Sequence, residues 1–468
     1  MNETALTALS ATELVRLYRR RTLSPVAVTR AVLARIESND ASINAFVAVD
    51  TKGALAAAVE SEARWGRGEP LGLLDGVPVS VKDLLAQRGL PTRRGSKTTS
   101  AQGPWDEDAP AVARLREHGA VLLGKTTTSE FGLKGLGDSP LTGVTRNPWH
   151  LDHTPGGSSA GAVAAVAAGF GPLAVGTDGG GSIRVPSAFS GVVGFKPTFG
   201  VVSQSPPQIV GVPPHVGPIA HNVDDAALLL SVLSLPDPRD PFRAPLPPFV
   251  SSDAEPCSLQ GVSIGYSKTL GFAEVSEEVS TLFERALVIF RSLGAAVEPS
   301  EPGFSRPAAI LQTLFCGRAA LTVQGLSPEQ RAQLDPAILA SALQGERLSA
   351  VDYLRAEAQR IELAACMARY HQRFDLLLTP ATAAVAPKHD AADALLQLGQ
   401  RAPFAGAFSL TRQPAISIPL GIGESGLPIG IQIVGRHFED ARVLAAARAY
   451  ELSPEARVFR RSAAKLRT

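Results

Sequence analysis

AVARLREHGAVLLGKT, residues 111–126, changes its hydrophobic pattern halfway along. Residues 111–119 have helical spacing and a glycine stop, and residues 120–126 follow at once as an apolar run that predicts a strand. A helix feeding directly into a strand is the alternation of an α/β fold. The same stretch carries a misleading motif: residues 119–126, GAVLLGKT, match the phosphate-loop pattern G-x-x-x-x-G-K-[ST] letter for letter. A phosphate loop follows a strand and keeps flexible residues between its glycines, whereas Ala-Val-Leu-Leu is itself the strand here. The following TTSEFGLKG is a weak helix opener, so nucleotide binding is set aside.

Outward from this segment, 468 residues suffice for one large domain or two to three ordinary ones with an extensive core. Apolar residues make up 45% and charged residues 19%, as in ordinary globular proteins. Lys and Arg (45) nearly balance Asp and Glu (44), so no global field draws the chain to nucleic acid or to an anionic membrane. Cys257, Cys316 and Cys366 are scattered without metal-ligand spacing, so reduced, buried thiols and no metal are expected. The opening MNETALTALSATELVRLYRR lacks the basic-then-apolar order of a signal peptide, and the expected location is cytoplasmic. Residues 154–177 carry no formal charge, but their Gly and Ala content and Pro172 predict a buried helix followed by a strand rather than a membrane span.

Ser10 with Glu13 forms a capping-box pattern, and Ser24-Pro25 gives an N-cap with a first-turn proline, so two N-terminal helices are expected. GVPVSVKD (76–83) is a β-branched run ending at Lys82. VVGFKP is followed by the proline-rich loop SPPQIVGVPPH (205–215), expected to overhang a site, and DDAALLLSVL returns to helix. LPDPRDPFRAPLPPF (235–249) has no hydrophobic period and predicts a surface connection. Beyond it GVSIGY suggests a strand, residues 276–372 are mostly helical, and DLLLTP, AISIP and GIQIVG return to strands. The expected organisation is one domain over 1–468, with N-terminal helices (1–70), a core (71–234), a connection (235–258), and a second half (259–468) whose helical segment 300–372 shapes the substrate site.

Two serine-bearing stretches remain. GSSAG (157–161) matches the nucleophile-elbow pattern G-x-S-x-G around Ser159, but an elbow needs an apolar strand immediately before it, and RNPWHLDHTP is polar and broken by prolines. An α/β-hydrolase-type esterase using Ser159 stays a minority alternative. GTDGGGSIRVPS (176–187) sets three glycines before Ser182, and such glycines let backbone N–H groups converge on an anion, whether a phosphate or a developing oxyanion.

Taken together, GVPVSVKD, TPGGSSAG and GTDGGGSIR resemble the amidase signature family, whose hydrolases use a lysine, a serine in a cis peptide and a nucleophilic serine. The resemblance implies a large α/β domain with a central mixed sheet flanked by helices on both faces. It implies Ser182 as nucleophile, Ser158 as the cis serine and Lys82 as general base, with the backbone N–H groups of Gly179, Gly180, Gly181 and Ser182 as oxyanion hole. Asp178 and Arg184 correspond to positions that buttress the loop, and Ser159 to a supporting hydroxyl. The chemistry is coherent: a serine hydroxyl needs a base, the histidines offer no recognisable triad spacing, and burial behind VPVSV can bring a lysine from about 10.4 toward the roughly 7–8 that a base requires.

The resemblance extends from the N-terminal helices to QPAISIP and GLPIGIQIVGR, with departures at Thr127, Gly179 and Arg412, the last two expected to alter space or charge near an acyl pocket. It implies hydrolysis of carboxylic amide C–N bonds, preferably of small aryl or alkyl amides and extending to carbamates or esters. No cofactor is implied, the partner is a small-molecule amide, and a homodimer is compatible with it. The alternative within the family is the glutaminase component of a tRNA-dependent amidotransferase; a catalytically silent binding protein has the least support.

Overall fold

A computed structural model describes residues 3–209, 211–251, 258–454 and 456; Cys257 and part of the 235–258 connection lie outside these. The strands are β1 (Phe46–Val49), β2 (Pro78–Lys82), β3 (Val121–Thr126), β4 (Asp138–Ser139), β5 (Gly143–Val144), β6 (Leu173–Asp178), β7 (Val193–Lys196), β8 (His215–Ala220), β9 (Ser263–Tyr266), β10 (Ala296–Pro299), β11 (Leu376–Pro380), β12 (Ala415–Ile422) and β13 (Pro428–Gly435). All but the β4–β5 hairpin join one eleven-stranded sheet in the order β1-β3-β2-β6-β8-β7-β12-β13-β11-β9-β10. Strands β3, β2 and β6 run parallel, β9, β10 and β11 form a second parallel group, and antiparallel pairs link them, so the sheet is mixed. Every residue of β2, β3, β6, β8 and β13 is buried, which requires helices over both faces. Sequence-distant β12 and β13 sit between β7 and β11, so the sheet is continuous across the proline-rich connection.

Local chemistry accounts for the element ends. The Ser10 box forms, with Ser10 Oγ accepting from Glu13 N at 3.2 Å and Ser10 N donating to Glu13 Oε2 at 2.9 Å. Buried Asp225 docks the start of that helix by accepting from Ala11 N and Thr12 N at 2.8 and 3.0 Å. Ser24 caps Pro25–Ile43. The uncharged stretch becomes the buried helix Ala160–Ala167 followed by β6. A methyl on Gly161 would lie 2.2 Å from Ala45 O, which explains why this helix is built from small residues. Among the described residues no helix is long and apolar enough to cross a membrane.

Two strands differ from expectation. Strand β8 forms in a stretch to which the sequence assigns no element, just after the 205–215 loop, although Pro218 argues against a central strand; it is accommodated where β7 has already left, β7 pairing with β8 at Val193↔Ala220 and Gly194↔Ile219. Strand β10 interrupts the helical second half as an exposed edge that pairs only with β9. As expected, the phosphate-loop match is strand β3 itself, with Lys125 fully buried, its Nζ 3.0 Å from Asp83 Oδ1 and 2.9 Å from Thr92 Oγ1. That lysine therefore serves a buried ion pair beside Lys82. Removing it strands a buried carboxylate, so Lys125→Met is expected to lower unfolding free energy by about 3–5 kcal/mol in urea titration. ATP with Mg²⁺ is expected to leave the Tm of the unsubstituted protein unchanged; a nucleotide-dependent rise in Tm together with a neutral Lys125→Met would restore the phosphate-loop interpretation.

Candidate active site

Strand β2 ends at Lys82 and its parallel neighbour β6 ends at Thr177-Asp178, so their last side chains share one edge of the sheet. Lys82 is fully buried. Its Nζ lies 2.7 Å from Ser158 Oγ, 2.9 Å from Ser159 Oγ and 2.9 Å from Thr177 Oγ1. No carboxylate pairs with it among the described residues. Burial therefore holds the ammonium well below the usual lysine range, against the weaker pull of the Asp178 charge.

The hydrogen bonds around a neutral amine can be assigned by counting. Ser159 Oγ donates to Thr177 O at 3.2 Å, so toward Lys82 it is an acceptor. Thr177 Oγ1 can take the second Nζ hydrogen. The one nitrogen lone pair then faces Ser158, whose hydroxyl is the closest of the three. The Gly157–Ser158 peptide is cis.

Beyond β6 the chain runs through Gly179–Gly181 into Ser182 and the helix Arg184–Ser190. Gly181 has φ +121°, and a methyl there would lie 2.7 Å from Ala405 Cβ, so the position requires glycine. Asp178 organises the turn. Its carboxylate receives Arg184 Nε at 2.9 Å and Nη2 at 3.0 Å, both side chains being buried. Arg184 also donates to Gln432 Oε1 at 2.6 Å and Ser409 Oγ at 2.7 Å, and Ser409 Oγ donates to Asp178 Oδ1 at 3.0 Å. Burial alone would push the Asp178 carboxyl up, but the Arg184 guanidinium overrides it and holds the group well below the usual carboxylate range.

The sequence-derived residues converge here, with one difference. The Gly181 N–H, expected among the oxyanion donors, donates instead to Asp178 Oδ1 at 2.8 Å, because the tight turn folds the glycine back over the carboxylate. Among the described residues no protein group accepts from the N–H of Gly179, Gly180 or Ser182. Ser182 is half-buried, its carbonyl accepts from Ser159 N at 3.2 Å, and it lines a cavity of about 230 Å³ with Gly157, Gly180 and Phe315. Among the described residues no hydrogen bond joins the Ser158 and Ser182 hydroxyls.

Sequence reasoning missed Thr177, Ser409, Gln432 and Phe315. Thr177 adjoins a recognised residue, but Ser409 and Gln432 stand 225 and 248 positions from Arg184 with no motif around them. Arg412, expected to bring charge to the pocket, does not line this cavity; it packs its guanidinium 4.8 Å over the Phe199 ring and donates to Ile209 O at 2.8 Å. Ser159, the elbow alternative, is fully buried, follows a turn and loop rather than a strand, and has its hydroxyl engaged by Lys82 and Thr177. Nothing in the geometry supports it as a nucleophile.

Comparison with known proteins agrees with the geometry. Residues 27–444 match the family model described as Amidase. The chain is 36% identical to an acylamidase of Rhodococcus erythropolis, with 96% of each chain covered. It is 35% identical to a glutamyl-tRNA(Gln) amidotransferase subunit of Symbiobacterium thermophilum, covering 95% of this chain and 96% of that one. Its fold superposes with a TM-score of 0.90 on a bacterial aryl acylamidase of the amidase signature family, at 31% identity over 97% of this chain and 98% of that one. The chain belongs to the amidase signature family and is a hydrolase of C–N bonds other than peptide bonds.

Proposed function

We propose that this enzyme hydrolyses small, uncharged aryl or alkyl amides through an acyl-enzyme on Ser182, using Ser158 as relay and Lys82 as base. The observation that carries it is the buried, carboxylate-free Lys82 with Ser158 Oγ at 2.7 Å. As Ser182 Oγ bonds to the carbonyl carbon, its proton passes to Ser158 while the Ser158 proton passes to Lys82. The Ser158–Ser182 contact tightens when substrate fills the cleft, as such contacts do in Michaelis complexes. The N–H groups of Gly179, Gly180 and Ser182 receive the oxyanion, each donor being worth about 2.7–4 kcal/mol in the transition state. Gly181 is the tether that fixes their direction, and Asp178 with Arg184 hold the turn. Reversal of the relay protonates the departing amine, and water then cleaves the acyl-enzyme by the same path. An ester or carbamate presents the same carbonyl and is processed likewise.

The cavity lining and the resemblance to acylamidases support this substrate class. The resemblance to amidotransferase components favours glutamine as a second substrate reading. The cavity speaks against it: Lys134 is its one charged lining residue, and its Nζ is already 2.7 Å from Asp138 Oδ2 and hydrogen-bonded to Asp335. That leaves no free charge on the lining for an amino-acid substrate.

In a panel of an aryl acetamide, an aryl carbamate, an aryl ester and glutamine, the aryl amide is expected to have the highest kcat/KM among the amides. Ser182→Ala and Lys82→Met are each expected to lose on the order of 10⁴-fold or more, with circular dichroism unchanged. Ser159→Ala retains measurable turnover, having lost an orienting contact and not a proton carrier. Preference for glutamine would install the amidotransferase reading, and an active Ser182→Ala would remove the mechanism.

The pH profile has a fixed sign. Lys82 works as the neutral amine, so kcat/KM rises as pH increases through its depressed titration, and the rising limb lies well below the ordinary lysine range. A limb at the ordinary lysine value would contradict the assigned base.

A further inference from the structure

We propose that Phe315 sets the largest acyl group this enzyme accepts, admitting uncharged acyl chains of up to roughly eight non-hydrogen atoms. This rests on Ser182 being the nucleophile. Phe315 stands on the helix Ala308–Val323. Its ring faces the oxyanion turn directly: a methyl on Gly180 would lie 3.1 Å from both Phe315 Cε2 and Cζ. A methyl on Gly179 would lie 3.9 Å from Phe315 Cζ and 3.6 Å from Val212 O, which is ordinary contact. The ring therefore closes the space over Gly180, while Gly179 leaves slack beside it.

The cavity under that ring is walled by Leu133, Val185, Leu398 and Ala402, with Ser182 at its base. Leu398 belongs to the helix Ala394–Arg401, so the ring and this second helix bound the space. At about 30 Å³ for each water-sized group, a volume of about 230 Å³ takes roughly eight such groups, the size of a benzoyl or hexanoyl unit. The charge of Lys134 is held by Asp138 and Asp335, so the space favours an uncharged occupant. In the relay the amine must leave beside Ser158, which returns its proton. The substituent lying against Gly180 and Phe315 is therefore the one on the carbonyl carbon.

The test is a series of p-nitroanilides with one leaving group and acyl chains from acetyl to decanoyl, plus benzoyl and 4-phenylbenzoyl, assayed with wild type, Phe315→Ala and Phe315→Leu. Wild-type kcat/KM is expected to fall sharply beyond hexanoyl and benzoyl. Phe315→Ala is expected to raise the decanoyl-to-butyryl ratio by about tenfold or more, with Phe315→Leu between the two. Varying the aniline at constant acyl group should leave the wild-type and variant rankings the same. An unchanged acyl ratio in both folded variants would overturn the role of Phe315 while leaving the Ser182 chemistry intact. Absence of turnover across the series, with no acyl adduct on Ser182 by mass spectrometry, would overturn the hydrolytic assignment and this inference together.

Discussion

The structure depends on burying a lysine that, among the described residues, has no carboxylate partner, at the end of a parallel strand. Burial disfavours the ammonium and holds its pKa well below the usual lysine range, and the hydroxyls of Ser158, Ser159 and Thr177 replace the water it has lost. The contrast with Lys125, one strand away, shows that this is a choice of partners: that lysine is equally buried but sits 3.0 Å from the Asp83 carboxylate. Two adjacent buried lysines thus have different chemistry, one paired and one facing hydroxyls. Carrying them is the task of the interior strands β2 and β3, covered on both faces and short enough to end at the same edge as β6.

A second constraint fixes the turn that follows β6. Asp178 accepts from Arg184, Ser409 and the Gly181 N–H, and Arg184 reaches Gln432 on β13. The turn is thereby tied to two regions far along the chain, at Ser409 and Gln432. Buried ion pairs are weak sources of net stability but strong determinants of geometry once formed. In the proposed mechanism this rigidity supplies donors at Gly179, Gly180 and Ser182 that need no rearrangement as charge develops on the carbonyl oxygen.

Much of this is legible in the sequence, for identifiable reasons. The helix-to-strand switch at 111–126, the capping residues Ser10 and Ser24 and the uncharged run before Thr177 are governed by local periodicity and hydrogen bonding, and they fold as expected. Ser158, Ser159 and Ser182 sit in short motifs rich in glycine and serine, Lys82 ends a β-branched run, and all four are recognisable without coordinates. Strand β8 is hidden because Pro218 is tolerated only owing to where β7 ends, a tertiary fact. Ser409, Gln432 and Phe315 are hidden because they act across long sequence separations from segments with ordinary helix or strand character. The Gly181 N–H departs from expectation because a run of glycines shows that N–H groups can converge but not which of them the neighbouring carboxylate takes.

The central claim is that Lys82 is a neutral amine at working pH. Selective ¹³Cε/¹⁵Nζ lysine labelling, with the Lys82 signal assigned by its loss in Lys82→Met, follows its ionisation directly by NMR. The account predicts titration well below the ordinary lysine value of about 10.4, coinciding with the rising limb of kcat/KM. Titration at or above that ordinary value would show a charged lysine at the heart of the site and would contradict the account.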